Sequence, residues 1–247
     1  MPTTIEVDVI VRLVVVWISL FGLAACAASP PPAASASGST RDIPIEVSQG
    51  PLVAELPRVK VASGLPNPRG MHINADGSLY VAIAGTGDPN DPNSGGLWQL
   101  QDKNHDGDFD DADERSVLLD KQPSRNILQL VRRDEVFGMA GMAEGDGKLL
   151  VALADFGGPS TIFQIEGARV SKWGSTNGNI NDLAFDARRH VWVAVASTTD
   201  EVVQLVAGGR SERIVKIPTL ASGQDAVPAY LRFDPRTGDL LVALFSG

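Results

Sequence analysis

The chain has 247 residues, 43% of them hydrophobic but only 6% aromatic, with 25 glycines, 16 prolines and one cysteine. Thirty acidic residues against 21 basic ones leave a formal net charge of −9, which repels phosphate backbones and argues against a nucleic-acid partner. The lone cysteine excludes a disulfide framework and a cysteine-based zinc site, and many turn-formers with few aromatics favour short strands.

Residues 13–25, LVVVWISLFGLAA, form an apolar run of 13 residues after Arg12. That is the length of a signal-peptide core and falls short of the ~20 residues that span a bilayer. Leu23-Ala24-Ala25-Cys26 resembles the bacterial lipobox. The resemblance implies cleavage before Cys26, a diacylglyceryl group on its sulfur, and a lipoprotein held to an envelope membrane on its extracytoplasmic side. Glu6 and Asp8 depart from the positive leader of such signals, which a true start downstream of Met1 would explain. Residues 1–25 are therefore read as a signal peptide. Residues 26–42, rich in Ala, Ser and Pro, cannot bury a core and read as a tether.

The domain that follows, residues 43–247, is organised by repetition. Residues 65–100 hold an approach loop, a first strand, a turn at Ala75-Asp76-Gly77, the strand Leu79-Tyr80-Val81-Ala82, a polar loop, and the strand Leu97-Trp98-Gln99-Leu100. The second strand recurs as Leu149-Leu150-Val151-Ala152, Val191-Trp192-Val193-Ala194 and Leu240-Leu241-Val242-Ala243. Shorter apolar strands such as Leu183-Ala184-Phe185 and Leu231-Arg232-Phe233 come before the turns. A third strand repeats a glutamine (Gln99, Gln164, Gln204), and a fourth closes each complete unit at residues 116–119, 169–173 and 213–217.

Four short antiparallel strands per unit, at intervals of 42 and 49 residues, predict an all-β fold, a β-propeller of four-stranded blades. The 70-residue interval from Leu79 to Leu149 marks an insertion of roughly 25 residues in the first blade. Three and a half blades are counted of about six, so the pattern predicts a chain truncated at its C-terminus. Residues 58–65 resemble residues 213–220 and are expected to be an outer strand completing the last blade.

The insertion carries an acidic run at residues 102–114, DKNHDGDFDDADE. Oxygen-bearing side chains at relative positions 1, 3, 5, 9 and 12, with glycine at 6, suit a chain wrapping a hard cation that wants six to eight oxygens. Asp102, Asn104 and Asp106 would give side-chain oxygens, Asp108 its carbonyl, Asp110 a water-mediated contact and Asp113 the closing carboxylate. Structural Ca2+ is thus the expected cofactor. A solvated acidic turn is the plain alternative, though charges this dense raise one another's pKa values.

Residues entering the first strands converge at the mouth of a central channel: Asn67, Arg69, Asn181, Asp182 and Tyr230. Such a ring suits a metal, a sugar hydroxyl, or a small molecule or protein not yet identified. The plain alternative is that they cap strand ends. His72, His105 and His190 show no ligand spacing and read as structural. The glycine-rich run 138–147 lacks the Lys-Ser/Thr of a phosphate loop and reads as a turn.

GLPNPRGMHINADGSLYVA at residues 64–82 and VPAYLRFDPRTGDLLVALFSG at residues 227–247 resemble the NHL and SMP-30/gluconolactonase-like six-bladed propellers. Within that group they are most similar to the scytonemin-biosynthesis propellers and to glucose/sorbosone dehydrogenase-like proteins. The gluconolactonase resemblance implies a divalent metal held by Glu, Asn and Asp in the channel, matched here only by Asn181 and Asp182. The dehydrogenase resemblance implies a quinone cofactor (PQQ) with a catalytic histidine. Met142-Ala143-Glu144 stands where that histidine belongs, so PQQ is not expected. Two functions follow. The favoured one is a lipid-anchored extracytoplasmic binding or scaffold module with structural calcium. The alternative is an enzyme acting on a sugar or lactone in the channel, hydrolase or quinone-dependent dehydrogenase.

Overall fold

In this computed structural model the residues described are 9–13, 60–127, 135–155, 158–208, 210–220 and 223–245. Cys26, the tether at residues 26–42, and residues 14–25 of the expected leader lie outside them. The described residues form seventeen strands and one three-residue 3-10 turn at Ala112–Glu114.

The first sheet runs β2 (Pro68–Ile73), β3 (Leu79–Ile83), β4 (Gly95–Leu100), β5 (Arg115–Gln122). The second runs β8 (Met139–Gly145), β9 (Lys148–Leu153), β10 (Ser160–Glu166), β11 (Arg169–Thr176). The third runs β12 (Ile180–Asp186), β13 (Val191–Ala196), β14 (Glu201–Val206), β15 (Arg210–Lys216). In a fourth, β16 (Pro228–Phe233) pairs with β17 (Leu240–Leu244), and β1 (Val9–Leu13) lies on the far side of β17. Between the first two sheets, β6 (Arg125–Asn126) and β7 (Val136–Phe137) make a two-stranded ribbon. All pairings are antiparallel, and the first strands stand side by side in chain order, β2 next to β8, β8 next to β12, β12 next to β16. The result is a propeller-like arc of sheets facing one another.

The second strands explain why the sequence repeats as it does. A strand covered on both faces reads as an unbroken apolar run rather than an alternation. Val81, Ala82 and Ile83 are buried, as are Leu150, Val151 and Ala152, and Val193, Ala194 and Val195. Each Val, Leu or Ile so enclosed contributes about 1.5–3 kcal/mol. In β17, by contrast, Leu240, Val242 and Leu244 are buried while Leu241 and Ala243 are half-buried, the pattern of a strand covered on one face.

In three of the four turns, at Asp76, Asp186 and Asp234, an aspartate carboxylate accepts from the backbone N–H two residues on. Asp76 accepts bonds from the Ser78 N–H (2.9 Å) and hydroxyl (2.7 Å), and Asp234 accepts from the Arg236 N–H (2.8 Å). The Ser78 hydroxyl, then its N–H, hold Asp76 below its ordinary value, and the Arg236 N–H does the same for Asp234.

Three expectations need correction. Residues 60–65, the described part of the expected outer strand, form no strand. Val61 instead accepts from the Phe109 N–H (2.7 Å), and Ser63 donates to Asp110 from its N–H (2.7 Å) and hydroxyl (2.9 Å), so the acidic loop takes up this segment. The insertion is not one piece; it is divided between residues 101–114 and the β6–β7 ribbon. The glycine-rich run is mostly strand β8, with only residues 146–147 in the turn, because neighbouring first strands approach too closely there for side chains. A Cβ on Gly141 would collide with the Asp182 carboxylate and Cα. β1, which pairs with β17, falls within the expected leader.

Candidate functional site

Each first strand meets its partner through a bulge near its start. Pairing steps from Pro68↔Ile83 to Met71↔Val81, from Met139↔Leu153 to Met142↔Val151, from Ile180↔Ala196 to Asp182↔Val195, and from Pro228↔Leu244 to Tyr230↔Ala243. Each step leaves one extra residue on the first strand. A bulge bends its strand and re-aims a side chain. The residues in the bulges are Arg69 and Gly70, Ala140 and Gly141, Asn181, and Ala229. Arg69, Ala140, Gly141, Asn181 and Ala229 all line one small cavity of about 40 Å³ where the starts of the first strands meet, together with Glu135 and Tyr230.

Three of the five sequence-predicted mouth residues, Arg69, Asn181 and Tyr230, therefore share one cavity although they come from three sheets. The other two are engaged elsewhere. Asn67, at φ 50°, donates from its amide to the Gly85 carbonyl (2.6 Å) and accepts from the Ala84 N–H (3.0 Å), fastening the approach loop to β3. Asp182 is 1% exposed; one oxygen accepts from the Leu231 N–H (3.1 Å) and the Arg232 guanidinium (2.7 Å), tying the third sheet to the fourth. Burial pushes its carboxyl above the ordinary range, and Arg232 only partly offsets that.

Glu135 is the residue that sequence reasoning missed. The Arg69 guanidinium stands 3.8 Å from its carboxylate and donates to the Val136 carbonyl at 3.0 Å. Nothing local marks Glu135, which stands just before β7. Asn179 was missed as well. It is fully buried, and its amide nitrogen donates to Asn181 Oδ1 (3.0 Å), fixing how Asn181 presents itself. Its own Oδ1 is buried without a hydrogen-bond partner, which costs free energy unless something donates to it.

A wider groove of about 590 Å³ shares Glu135 and Asn181 with the small cavity and continues along Asn179, Ser197, Asp200 and Asp225. The mouth thus runs from a cationic end at Arg69 to an acidic side.

The acidic loop is a separate structure. Gln101 N–H donates to the Glu114 carbonyl (2.9 Å) and closes its neck. Inside, Asn104 accepts from Asp106 N–H (3.0 Å), Asp102 from Gly107 N–H (3.1 Å), Asp106 from Asp108 N–H (3.1 Å) and Asp108 from Asp110 N–H (2.8 Å). Gly107 sits at φ 93°, which only glycine takes readily, and Phe109 anchors the loop on the cluster of Val81, Ile83 and Leu100.

Two predicted ligands point away. Asp110 meets Arg115 (2.5 Å), Lys60 (3.4 Å) and Ser63, and the Ser63 hydroxyl leads in holding its carboxyl below the ordinary range. Asp113 is exposed beside Lys103 (3.9 Å). The carboxylates that turn inward instead are Asp111, bonded to Asn104 Nδ2 (2.8 Å), and Glu114, 2% exposed and accepting from Lys103 N–H (2.8 Å). The 3-10 turn swings Glu114 under the loop. Partial desolvation, then the charges of Glu114 and Asp106, hold Asp111 above its ordinary value. Among the described residues no three His, Cys, Asp or Glu side chains converge so as to hold a metal ion.

Two of the three histidines stand between sheets. His72 approaches Glu144 (3.7 Å), joining the first sheet to the second, and His190 approaches Asp146 (3.3 Å), joining the second to the third. His105 lies in the acidic loop at φ 62°.

No family model and no curated protein matches the chain. Solved structures do. A candidate gluconolactonase aligns at 18% identity and TM-score 0.44, over 73% of this chain and 59% of that one. A candidate 6-phosphogluconolactonase from Bacteroides uniformis aligns at 17% and 0.43, over 70% and 49%. A gluconolactonase from Xanthomonas campestris aligns at 15% and 0.43, over 72% and 56%. The chain spans about half to three-fifths of the length of these structures.

Proposed function

We propose that the concave mouth binds and acts on a polyhydroxylated small molecule of the sugar or lactone class. One observation carries this: Arg69, Asn181 and Tyr230, from three sheets, meet Glu135 on a single cavity. The amide of Asn181 and the hydroxyl of Tyr230 suit sugar hydroxyls, and the guanidinium of Arg69 suits a carbonyl or carboxylate oxygen.

For a lactone, the Arg69–Glu135 pair supplies two complementary roles. Glu135 takes a proton from water as its oxygen attacks the carbonyl carbon, and Arg69 stabilises the oxyanion that forms. When the intermediate collapses, the ring C–O bond breaks and the leaving oxygen takes the proton back from Glu135, giving a hydroxy acid. A divalent metal of the gluconolactonase kind does not fit these residues. Among the described residues Glu135 is the only carboxylate on the small cavity and sits beside a fixed cation, while Asp182 is committed to Arg232 and Leu231. A quinone finds no histidine among the described residues that line either cavity.

The test is hydrolysis of glucono-δ-lactone by the full chain, with Glu135→Gln and Arg69→Met alongside. Each substitution is expected to lower kcat about 100-fold or more. Metal-dependent turnover indifferent to both substitutions would defeat the reading.

Two further readings stand as proposals. We propose that the acidic loop takes structural calcium, with Asp102, Asn104 and Asp106 as first ligands and Asp111 and Glu114 drawn in on binding, since among the described residues no three acidic side chains converge without the ion. Asp102 Oδ1, buried without a partner, supports this. We also propose that Cys26 carries lipid and holds the domain to an envelope membrane, as part of a ring of about six blades. The intact mass of the purified protein against a Cys26→Ser variant tests the lipid.

A further inference from the structure

The four first strands begin alike. One residue before each, a backbone carbonyl accepts from the N–H just past the second strand of the same sheet: Asn67 from Ala84 (3.0 Å), Gly138 from Ala154 (2.9 Å), Asn179 from Ser197 (3.0 Å) and Val227 from Phe245 (2.9 Å). Asparagine and glycine suit a place where the chain turns sharply, and Asn67 takes φ 50° there, fixed by its own amide on the Gly85 carbonyl. Val227 sits at φ 45° with neither advantage. A β-branched residue in the left-handed region is an outlier, and the proline that follows favours extended backbone instead.

Partners from the third sheet hold Val227 there. Asp200, itself at φ 52° in the turn between β13 and β14, accepts from the Val227 N–H through Oδ1 (2.9 Å), and its carbonyl accepts from the Ile217 N–H (2.7 Å). The Ser197 hydroxyl donates to the Pro228 carbonyl (2.5 Å). Asn67 carries its fastening on its own side chain, whereas Val227 borrows one from a carboxylate 27 residues back. Just beyond it stand Ala229 and Tyr230, which line the small cavity. Strain of this kind persists only where the surroundings over-determine it, and it gathers at functional sites.

We infer that Asp200 is a positioning residue for the mouth: its carboxylate holds Val227 in a strained conformation and thereby sets where Ala229 and the Tyr230 ring enter the cavity. The use of Tyr230 on a sugar hydroxyl rests on the sugar or lactone reading of the mouth; its placement by Asp200 and Val227 does not.

The chain has two tyrosines, Tyr80 buried between the first two sheets and Tyr230 half-exposed, so fluorotyrosine labelling of the full chain gives two fluorine NMR signals. Asp200→Gly removes the carboxylate while leaving the φ of 52° free of strain. It should displace or broaden the Tyr230 signal and leave that of Tyr80, which reports an intact fold. Asp200→Asn keeps an acceptor oxygen and should leave both signals in place. Adding Val227→Asn to Asp200→Gly recreates the Asn-Pro pair of residues 67–68 and should return the Tyr230 signal to its original position. Alone, Val227→Asn should raise the melting temperature by about 3 °C, because asparagine enters the left-handed region more readily. Hydrolysis of glucono-δ-lactone should follow the same order, with kcat/KM about tenfold lower in Asp200→Gly and recovered in the double variant. An unmoved Tyr230 signal in Asp200→Gly, or a Val227→Asn protein that melts below wild type, overturns the inference. Where Asp200→Gly fails to fold, recovery of the fold by Val227→Asn supports it and continued failure overturns it. Signals that move as expected in a chain without hydrolysis keep the positioning role and remove the reaction.

Discussion

The acidic loop and the concave mouth are both polar, yet they are built in opposite ways. The loop is made within one stretch of chain: a neck at Gln101 and Glu114, aspartates accepting from N–H groups two residues on, and one glycine at a strained φ. The mouth takes Arg69, Asn181 and Tyr230 from three sheets and Glu135 from the connection between two. Local bonds shape the loop, and Val61, Ser63 and Lys60 fasten one side of it. Packing between sheets holds the mouth, so the mouth's geometry is only as secure as the seams around it. The comparison teaches where damage should spread.

The sharpest test of the contrast sets two glycines against each other. Gly141→Ala drives a methyl into the Asp182 carboxylate and backbone between β8 and β12. Denaturant unfolding should show a loss of about 3 kcal/mol, together with loss of ligand binding at the mouth. Gly107→Ala in the loop meets open space and pays only for its φ of 93°, a loss of about 1 kcal/mol with the mouth untouched. Equal losses would break the contrast.

Asp182→Ala comes next. It leaves the buried Leu231 N–H without its acceptor, an expected cost of about 2 kcal/mol by the same measurement, with Arg232 adding little because its side chain is 65% exposed. The pH dependence has a definite sign. The folded carboxyl titrates above its unfolded value, so its contribution is greatest below the unfolded value and declines as pH rises through the folded one. The stability gap between wild type and Asp182→Ala should therefore narrow with rising pH in that window.

A smaller effect is expected at Asp106. With calcium present, Asp106→Ala should abolish the heat of calcium titration, and binding at the mouth should not change. Coupling between the two would show that the loop braces the arc through Phe109. Smallest of all are the turn aspartates. Asp76 and Asp234 titrate below their ordinary 3.8, so their stabilising contribution is complete above that value and is lost as pH falls through the folded one. Acid titration of Asp234→Asn against wild type should differ only there.

Legibility in the sequence follows the same divide. Three of the four second strands are readable because a strand buried on both faces cannot hide its apolar run, and the turns because each carries an aspartate. The acidic loop was readable by spacing, but its inward carboxylates were assigned one step short. Position counting could not see Arg115 and Lys60 drawing Asp110 away, or a 3-10 turn bringing Glu114 in. Arg69, Asn181 and Tyr230, picked out by their place at strand starts, line one cavity. Asn67 and Asp182 share that place and differ only in partners from other strands. Glu135 and Asn179 left no local trace, since only the folded arc brings them to the cavity.

The bulges at the strand starts have a consequence for how such a protein changes. An extra residue that pairs with nothing is released from the alternation that ties its neighbours to the core. Positions 69, 181 and 229 are therefore places where evolution can exchange side chains facing the mouth while the blade seams keep their contents. Arg69 and Asn181 occupy two of them with functional groups, and Ala229 holds the third nearly blank. A lineage seeking a new ligand would find its cheapest mutations there, so divergence in activity at constant architecture is written into the register of the first strands.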